Sequence, residues 1–173
     1  MSAPRPKLHI RTRHGTVGLR PAAGGPAEEA FLYLLFASNR AAEMALMPIS
    51  PQDREFLLQV QFRSMNETYR QSFPAAWYDI IELDRWAIGR IVREVRADCV
   101  YFIDFALLPQ VQGLGIGTTV LAAALEEPRR LRLPARLRSF SYHRAAQHLY
   151  HKLGFSIVAE EPPQIVLEWR PKG

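Results

Sequence analysis

The chain has 173 residues, 48% of them hydrophobic, a formal net charge of +5 and a sequence pI of about 9.7. This composition suits one domain with a proper core and excludes a chain too polar to fold. No apolar stretch reaches the ~18–20 residues that a bilayer span needs. The first twenty residues lack an apolar signal core, so cytoplasmic residence is the default expectation. Cys99 is the only cysteine, which excludes an internal disulfide, and its place at the start of an apolar strand favours packing over reactivity.

Taken in chain order, residues 1–16 read as a flexible tail ahead of a single domain over 17–170. Val17 to Arg20 is a short strand candidate, and Pro21 to Pro26 is a breaker run. Ala27 to Met47 carries apolar residues at helical spacing (Phe31, Leu34, Leu35) and stops at Pro48. Ser50, Pro51 and Asp53 mark the start of a second helix, which runs to about Phe73. Trp77–Leu83, Trp86–Val95 and Cys99–Leu108 are β-branched and aromatic runs joined by short charged turns, the pattern of an antiparallel meander. A glycine-rich turn follows, then a helix over Thr118–Glu127 that breaks at Pro128. A strand near Ala135–Ser141 leads to a helix over His143–Leu153, closed by Gly154. Phe155–Glu160 and Gln164–Trp169 are the last strands. No repeat or second-domain boundary interrupts this order.

The glycine-rich turn, Gln112-Gly113-Leu114-Gly115-Ile116-Gly117-Thr118-Thr119, sits between a strand and a helix start. Glycines let backbone N–H groups crowd an anion, and a helix N-terminus adds about half a positive charge. The segment therefore predicts a ligand carrying a pyrophosphate. A dinucleotide fingerprint would need a third glycine where Thr118 stands, and an acid downstream where arginines lie. A P-loop would need a Gly-Lys-Ser/Thr ending, and no lysine is near.

The spacing of Gln112, Gly115 and Gly117 matches Q-x-x-G-x-G. Here the chain resembles the GNAT superfamily of acyl-CoA-dependent N-acyltransferases. A second block, His143 to Phe155, is similar to that family's N-x-x-A-x-x-x-Y-x-x-x-G-F pattern, with Ala146, Tyr150, Gly154 and Phe155 in register. The resemblance spans Val17 to Trp169. It implies an α+β, three-layer fold with a mixed, mostly antiparallel central sheet of about seven strands flanked by helices. It implies acetyl-CoA as co-substrate, no metal, and a small-molecule or peptide amine as acceptor. Homodimers are common among such proteins.

The resemblance also assigns residues. Gln112, Gly113, Leu114, Gly115, Ile116, Gly117 and Thr118 would present N–H groups to the pyrophosphate. Phe105, Ala106 and Leu107 would offer backbone groups to the pantetheine. Tyr150 stands at the position of the general acid, and a phenol of pKa ~10 keeps its proton at neutral pH; a packed aromatic is the alternative. His143 replaces the usual asparagine, either as a base or phosphate contact or as an N-cap variant. The family's glutamate positions fall on Cys99 and Arg138, neither fit to be a base. Asp104, an acid inside the run Tyr101 to Phe105, is the first base candidate, with Glu82 or a water relay behind it. An ion pair with Arg85, Arg90 or Arg93 is the alternative for either acid. Strict strand alternation puts Asp104 on the face of Phe102 and Ala106.

Arg129, Arg130, Arg132, Arg136 and Arg138 raise a nucleic-acid reading, but no helix-turn-helix, zinc-finger spacing or aromatic-interleaved strand supports it, and a solvated surface is the favoured account. His148 and His151 have no carboxylate or cysteine near them in sequence, so a metal is not expected. The acceptor is expected beside Met44–Ser50, Arg63–Phe73 and Glu160–Gln164, with Tyr69, Phe73, Trp77 and Tyr78 as pocket candidates. An inert acyl-CoA-binding module is the rival function.

Overall fold

The computed structural model describes residues 8–172. Eight strands form one sheet: β1 (His9–Thr12), β2 (Gly15–Pro21), β3 (Trp77–Leu83), β4 (Trp86–Val95), β5 (Val100–Leu107), β6 (Ala135–Phe140), β7 (Ser156–Glu161) and β8 (Gln164–Trp169). Their spatial order is β1-β2-β3-β4-β5-β6-β8-β7, and only β5 with β6 is parallel. Five helices flank it: α1 (Pro26–Ala45), α2 (Pro51–Ser72), α3 (Ile116–Ala124), α4 (Glu126–Leu131) and α5 (Arg144–Lys152).

Local chemistry explains most of these boundaries. The Ser50 hydroxyl accepts the Asp53 N–H at 3.1 Å, and Pro51 occupies the first helical position of α2. Asp84 and Arg85 both have positive φ, 48° and 71°, as a two-residue hairpin between twisted strands requires. Two expectations are corrected. The flexible tail expected over 1–16 lies partly outside the described residues, and within them His9–Thr12 pairs with Gly15–Gly18 as an eighth, edge strand. Pro128 does not break the chain out of helix: it sits in the first turn of α4, where an N–H has no intrahelical partner to lose.

The core lies on one face of the sheet, where Ile116, Val120 and Leu121 of α3 and Tyr150 of α5 pack on Ile91, Phe102, Leu137 and Leu167. On the other face α1 and α2 form their own cluster of Phe36, Met44, Leu58 and Phe62. Two features then create a cleft. Strands β5 and β6 pair only through Val100, Tyr101 and Phe102 with Ala135, Arg136 and Leu137. Beyond Phe102 they diverge, and β5 runs on to Leu107 with an unpaired edge.

The second feature is a bulge. Arg93 pairs with Phe102 and Val92 with Asp104, so Ile103 has no opposite number on β4. The extra residue breaks the expected alternation. Phe102 joins Phe105 in the core on the α3 side, whereas Asp104 turns to the α1–α2 side with Arg90. Asp104 shares the face of Ala106 but not of Phe102.

Candidate active site

The cradle is built by local backbone geometry. A single 3₁₀ turn, Pro109–Val111, ends β5, and Gly113 and Gly115 then take left-handed φ of 74° and 80°. An L side chain costs about 1–2 kcal/mol there, and nothing lies within 4 Å of where either Cβ would be, so the need for glycine is conformational. The helical ladder of α3 opens with Thr119 N–H to Gly115 C=O at 3.1 Å. Among the described residues, the amides of Gly113, Leu114, Gly115, Ile116, Gly117 and Thr118 have no acceptor. Six unpaired donors at a helix N-terminus form a site for an anion with several oxygens.

Gln112 departs from its expected part. Its N–H donates to Pro109 C=O at 3.2 Å, and its side-chain amide donates to Leu107 C=O at 2.8 Å and Asn39 Oδ1 at 2.9 Å. Asn39 Nδ2 donates to the same Leu107 carbonyl at 3.0 Å. These bonds tie α1, the end of β5 and the turn together. Gln112 braces the cradle and has no free amide to contribute.

The open edge of β5 follows from one bond. Leu108 N–H donates to Ile88 C=O at 2.8 Å, so Leu108 and, by alternation, Ala106 face β4. Phe105 and Leu107 therefore turn their backbone groups to the cleft. Ala106 does not, and its carbonyl stands against Gly89.

Tyr150 sits within the core at 9% exposure, its ring 5.7 Å edge-to-face from Phe155. Its hydroxyl has no hydrogen-bond partner among the described residues. Burial first, then the negative charge of Asp104, pushes its pKa up to about 12. Asp104 and Tyr150 thus lie on opposite faces of the sheet, near enough for the carboxylate to act on the phenol.

The ion pair considered for Asp104 is present. Arg90, only 6% exposed, brings Nε to 2.8 Å and Nη2 to 2.6 Å of the same oxygen, Oδ2. Arg90 Nη1 also donates to Asn66 Oδ1 on α2 at 3.1 Å. Oδ1 of Asp104 is left without a partner among the described residues. Glu82 is elsewhere: Arg20 Nε holds it at 2.7 Å, and Arg20 Nη1 holds Glu28 at 2.7 Å, tying β2, β3 and α1.

Three residues that the sequence did not single out complete the surroundings. Arg40 of α1 lies 3.7 Å above the Phe36 ring and has no ion pair or hydrogen bond among the described residues. Burial pushes its pKa down, against the opposing pull of Asp104 and then Glu43, with Tyr69 and Tyr142 also in reach. Asn66 and Tyr142 are the others. The single available signal was Arg40 standing one helical turn beyond Phe36. Tyr69 lies above Arg90 with its pKa raised, by burial first and then by Asp104.

His143 holds the N-cap position of α5 with no capping bond from its side chain, exposed and stacked edge-on to Tyr142 at 4.7 Å. His151 Nδ1 lies 3.1 Å from Phe155 C=O. Among the described residues no group of three His, Cys, Asp or Glu is placed to hold a metal, and no helix is long and apolar enough to cross a membrane. Cys99 is buried, and that burial pushes its thiol pKa up. Arg129, Arg130, Arg136 and Arg138 are each paired with a carboxylate, which blunts the basic patch. Phe73 lines a groove of about 690 Å³ with Tyr101, Arg138 and Glu161, while Trp77 lies by Arg93. Tyr78 Oη is buried.

A parted pair of parallel strands, with an amide-lined turn at the end of one, offers a slot for an extended ligand that carries an anion. Residues 44–155, well over half of the chain, match the acetyltransferase (GNAT) family, and the chain belongs to that family. Among solved structures, it is similar to the PaiA N-acetyltransferase of Thermoplasma acidophilum in complex with coenzyme A: TM-score 0.67, 18% identity, covering 89% of this chain and 98% of that one. RimJ of Mycobacterium smegmatis, in complex with CoA-disulfide, gives 0.65 at 15% identity, covering 95% and 86%. An acetyltransferase of Thermus thermophilus gives 0.64 at 16%, covering 95% and 100%. At such identities the likeness shows the fold. No curated protein matches the chain.

Proposed function

We propose that the protein transfers an acetyl group from acetyl-CoA to the amine of a small-molecule or peptide acceptor. The observation that carries this reading is the run of six unpaired amides from Gly113 to Thr118, set beside the open edge of β5. Acetyl-CoA would supply the activated acyl carbon as a thioester. The amides hold its diphosphate, and Phe105 offers its backbone groups and Leu107 its N–H to the pantetheine arm, the Leu107 carbonyl being taken by Gln112 and Asn39. The Thermoplasma and Mycobacterium neighbours, in complex with coenzyme A and CoA-disulfide, support that reading.

The chain's own groups divide the proton work. Asp104 Oδ1, left open while Arg90 grips Oδ2, accepts the ammonium proton of the acceptor directly or through water. The Arg90 contact fixes the carboxylate in one orientation. Tyr150, with a pKa near 12, remains protonated through the physiological range and holds a proton for the departing sulfur.

The Arg90–Asp104 ion pair also favours a second reading, an inert CoA-binding module whose carboxylate is purely structural. Calorimetry with CoA, alongside thiol release from acetyl-CoA across a panel of amines, separates the two. Heat of binding together with amine-dependent thiol release is the expected result. Binding without release leaves the inert module, and no heat at millimolar CoA removes both.

A further inference from the structure

Arg40 is a charged group in the cleft wall for which the acetyl-transfer scheme has no use. Its neighbour Asn39 is bonded to the end of β5, which fixes this turn of α1 at the cleft. The guanidinium rests on Phe36, half-buried, with no carboxylate of its own among the described residues. Asp104 of β5 is the first carboxylate to act on its charge, Glu43 of its own helix the second, with Tyr69 of α2 and Tyr142 ahead of α5 also in reach. Glu43 on its own helix is exposed, and solvent screens it. Arg40 and Arg90 together outweigh Asp104 by one positive charge. A simple ammonium entering that space meets a net like charge. An acceptor that brings an anion with its amine does not, and it relieves the cost of a half-buried, unpaired guanidinium.

We propose that the acceptor is a zwitterion, an amine bearing its own carboxylate, which Arg40 grips while the amine is presented to Asp104. The inference rests on the transferase reading above and names its substrate class. Arg40 acts as a specificity residue, not in the acyl-transfer step.

The test compares amino acids with their decarboxylated and amidated counterparts as acceptors, using the full chain and acetyl-CoA. The quantity read is the ratio of kcat/KM for an amino acid to that for its decarboxylated partner. Both values come from one preparation, so a partly folded variant does not distort the ratio. The wild-type protein should prefer the carboxylate-bearing member, and Arg40→Gln should cut the ratio by about 10–100-fold, the worth of a charged hydrogen bond. Arg40→Lys should restore part of the preference. Acetylation of amines without regard to the carboxylate, or a ratio unmoved by Arg40→Gln, overturns the inference and leaves the transferase reading standing. Failure to acetylate any amine overturns both.

Discussion

At the scale of single residues, two side chains carry predictions about turnover. Tyr150→Phe removes a proton donor and little volume, so it should lower kcat by roughly 10²–10⁴-fold. CoA affinity by calorimetry should be unchanged, because the cradle does not involve the phenol. A kcat equal to that of the wild type would make Tyr150 a core aromatic only. Asp104→Asn has two consequences, since Arg90 is 6% exposed and loses its carboxylate. Stability should fall by roughly 1–3 kcal/mol in urea titrations. If Asp104 is the base, the rate deficit should also shrink as pH rises and the acceptor sheds its own proton. A deficit constant with pH assigns Asp104 to structure alone. Tyr150 was legible in the sequence because its register with Gly154-Phe155 is local. Arg40 was not, because an arginine on an amphipathic helix has no signature until the sheet beneath it is known.

Among the elements, the turn into α3 and the bulge in β5 matter most. Gly115 has φ 80°, so Gly115→Ala should destabilise by about 1–2 kcal/mol and weaken CoA binding by distorting the amides. Gly117 is helical, and an added Cβ there meets Leu107, Leu149 and Phe105 at 3.5, 3.5 and 3.7 Å, ordinary contact distances. Gly117→Ala should therefore leave stability unchanged or raise it by up to about 1 kcal/mol. The denaturant midpoint of Gly115→Ala should fall while that of Gly117→Ala holds or rises, and parallel losses would contradict the geometry. The turn was readable because glycine's left-handed freedom is a property of the residue. The bulge at Ile103 was not. It is set by how β4 and β5 pair, and it alone moves Phe102 to the opposite face from Asp104.

Across the whole molecule, buried phenols and the buried thiol make folding sensitive to alkali. Tyr150 is raised from 10.0 to about 12, and Cys99 is raised above 9.0, in each case chiefly by burial. Both groups are neutral when protonated, so the folded state retains protons that the unfolded chain releases first. Their contribution is intact below about pH 9 and declines as pH climbs toward 12. The share due to Tyr150 is about 2–3 kcal/mol, from two pKa units at 1.36 kcal/mol each. Urea midpoints should be flat to about pH 9 and then fall, less steeply in Tyr150→Phe. An identical alkaline slope in that variant would show that the phenol does not titrate late.

The sequence by itself determined what neighbouring residues decide: helix starts at Ser50-Pro51, the meander from Trp77 to Leu108, the anion turn and the Tyr150 helix. Each depends on capping, periodicity or backbone freedom within a few positions. Only the tertiary structure decided that Gln112 is a brace, that Arg90 takes one oxygen of Asp104, that His9–Thr12 adds an edge strand, and that Arg40 has no ion pair among the described residues. Those outcomes come from pairings between segments up to 73 residues apart, such as Gln112 with Asn39. They depend on strand register and on burial, neither of which a local pattern encodes.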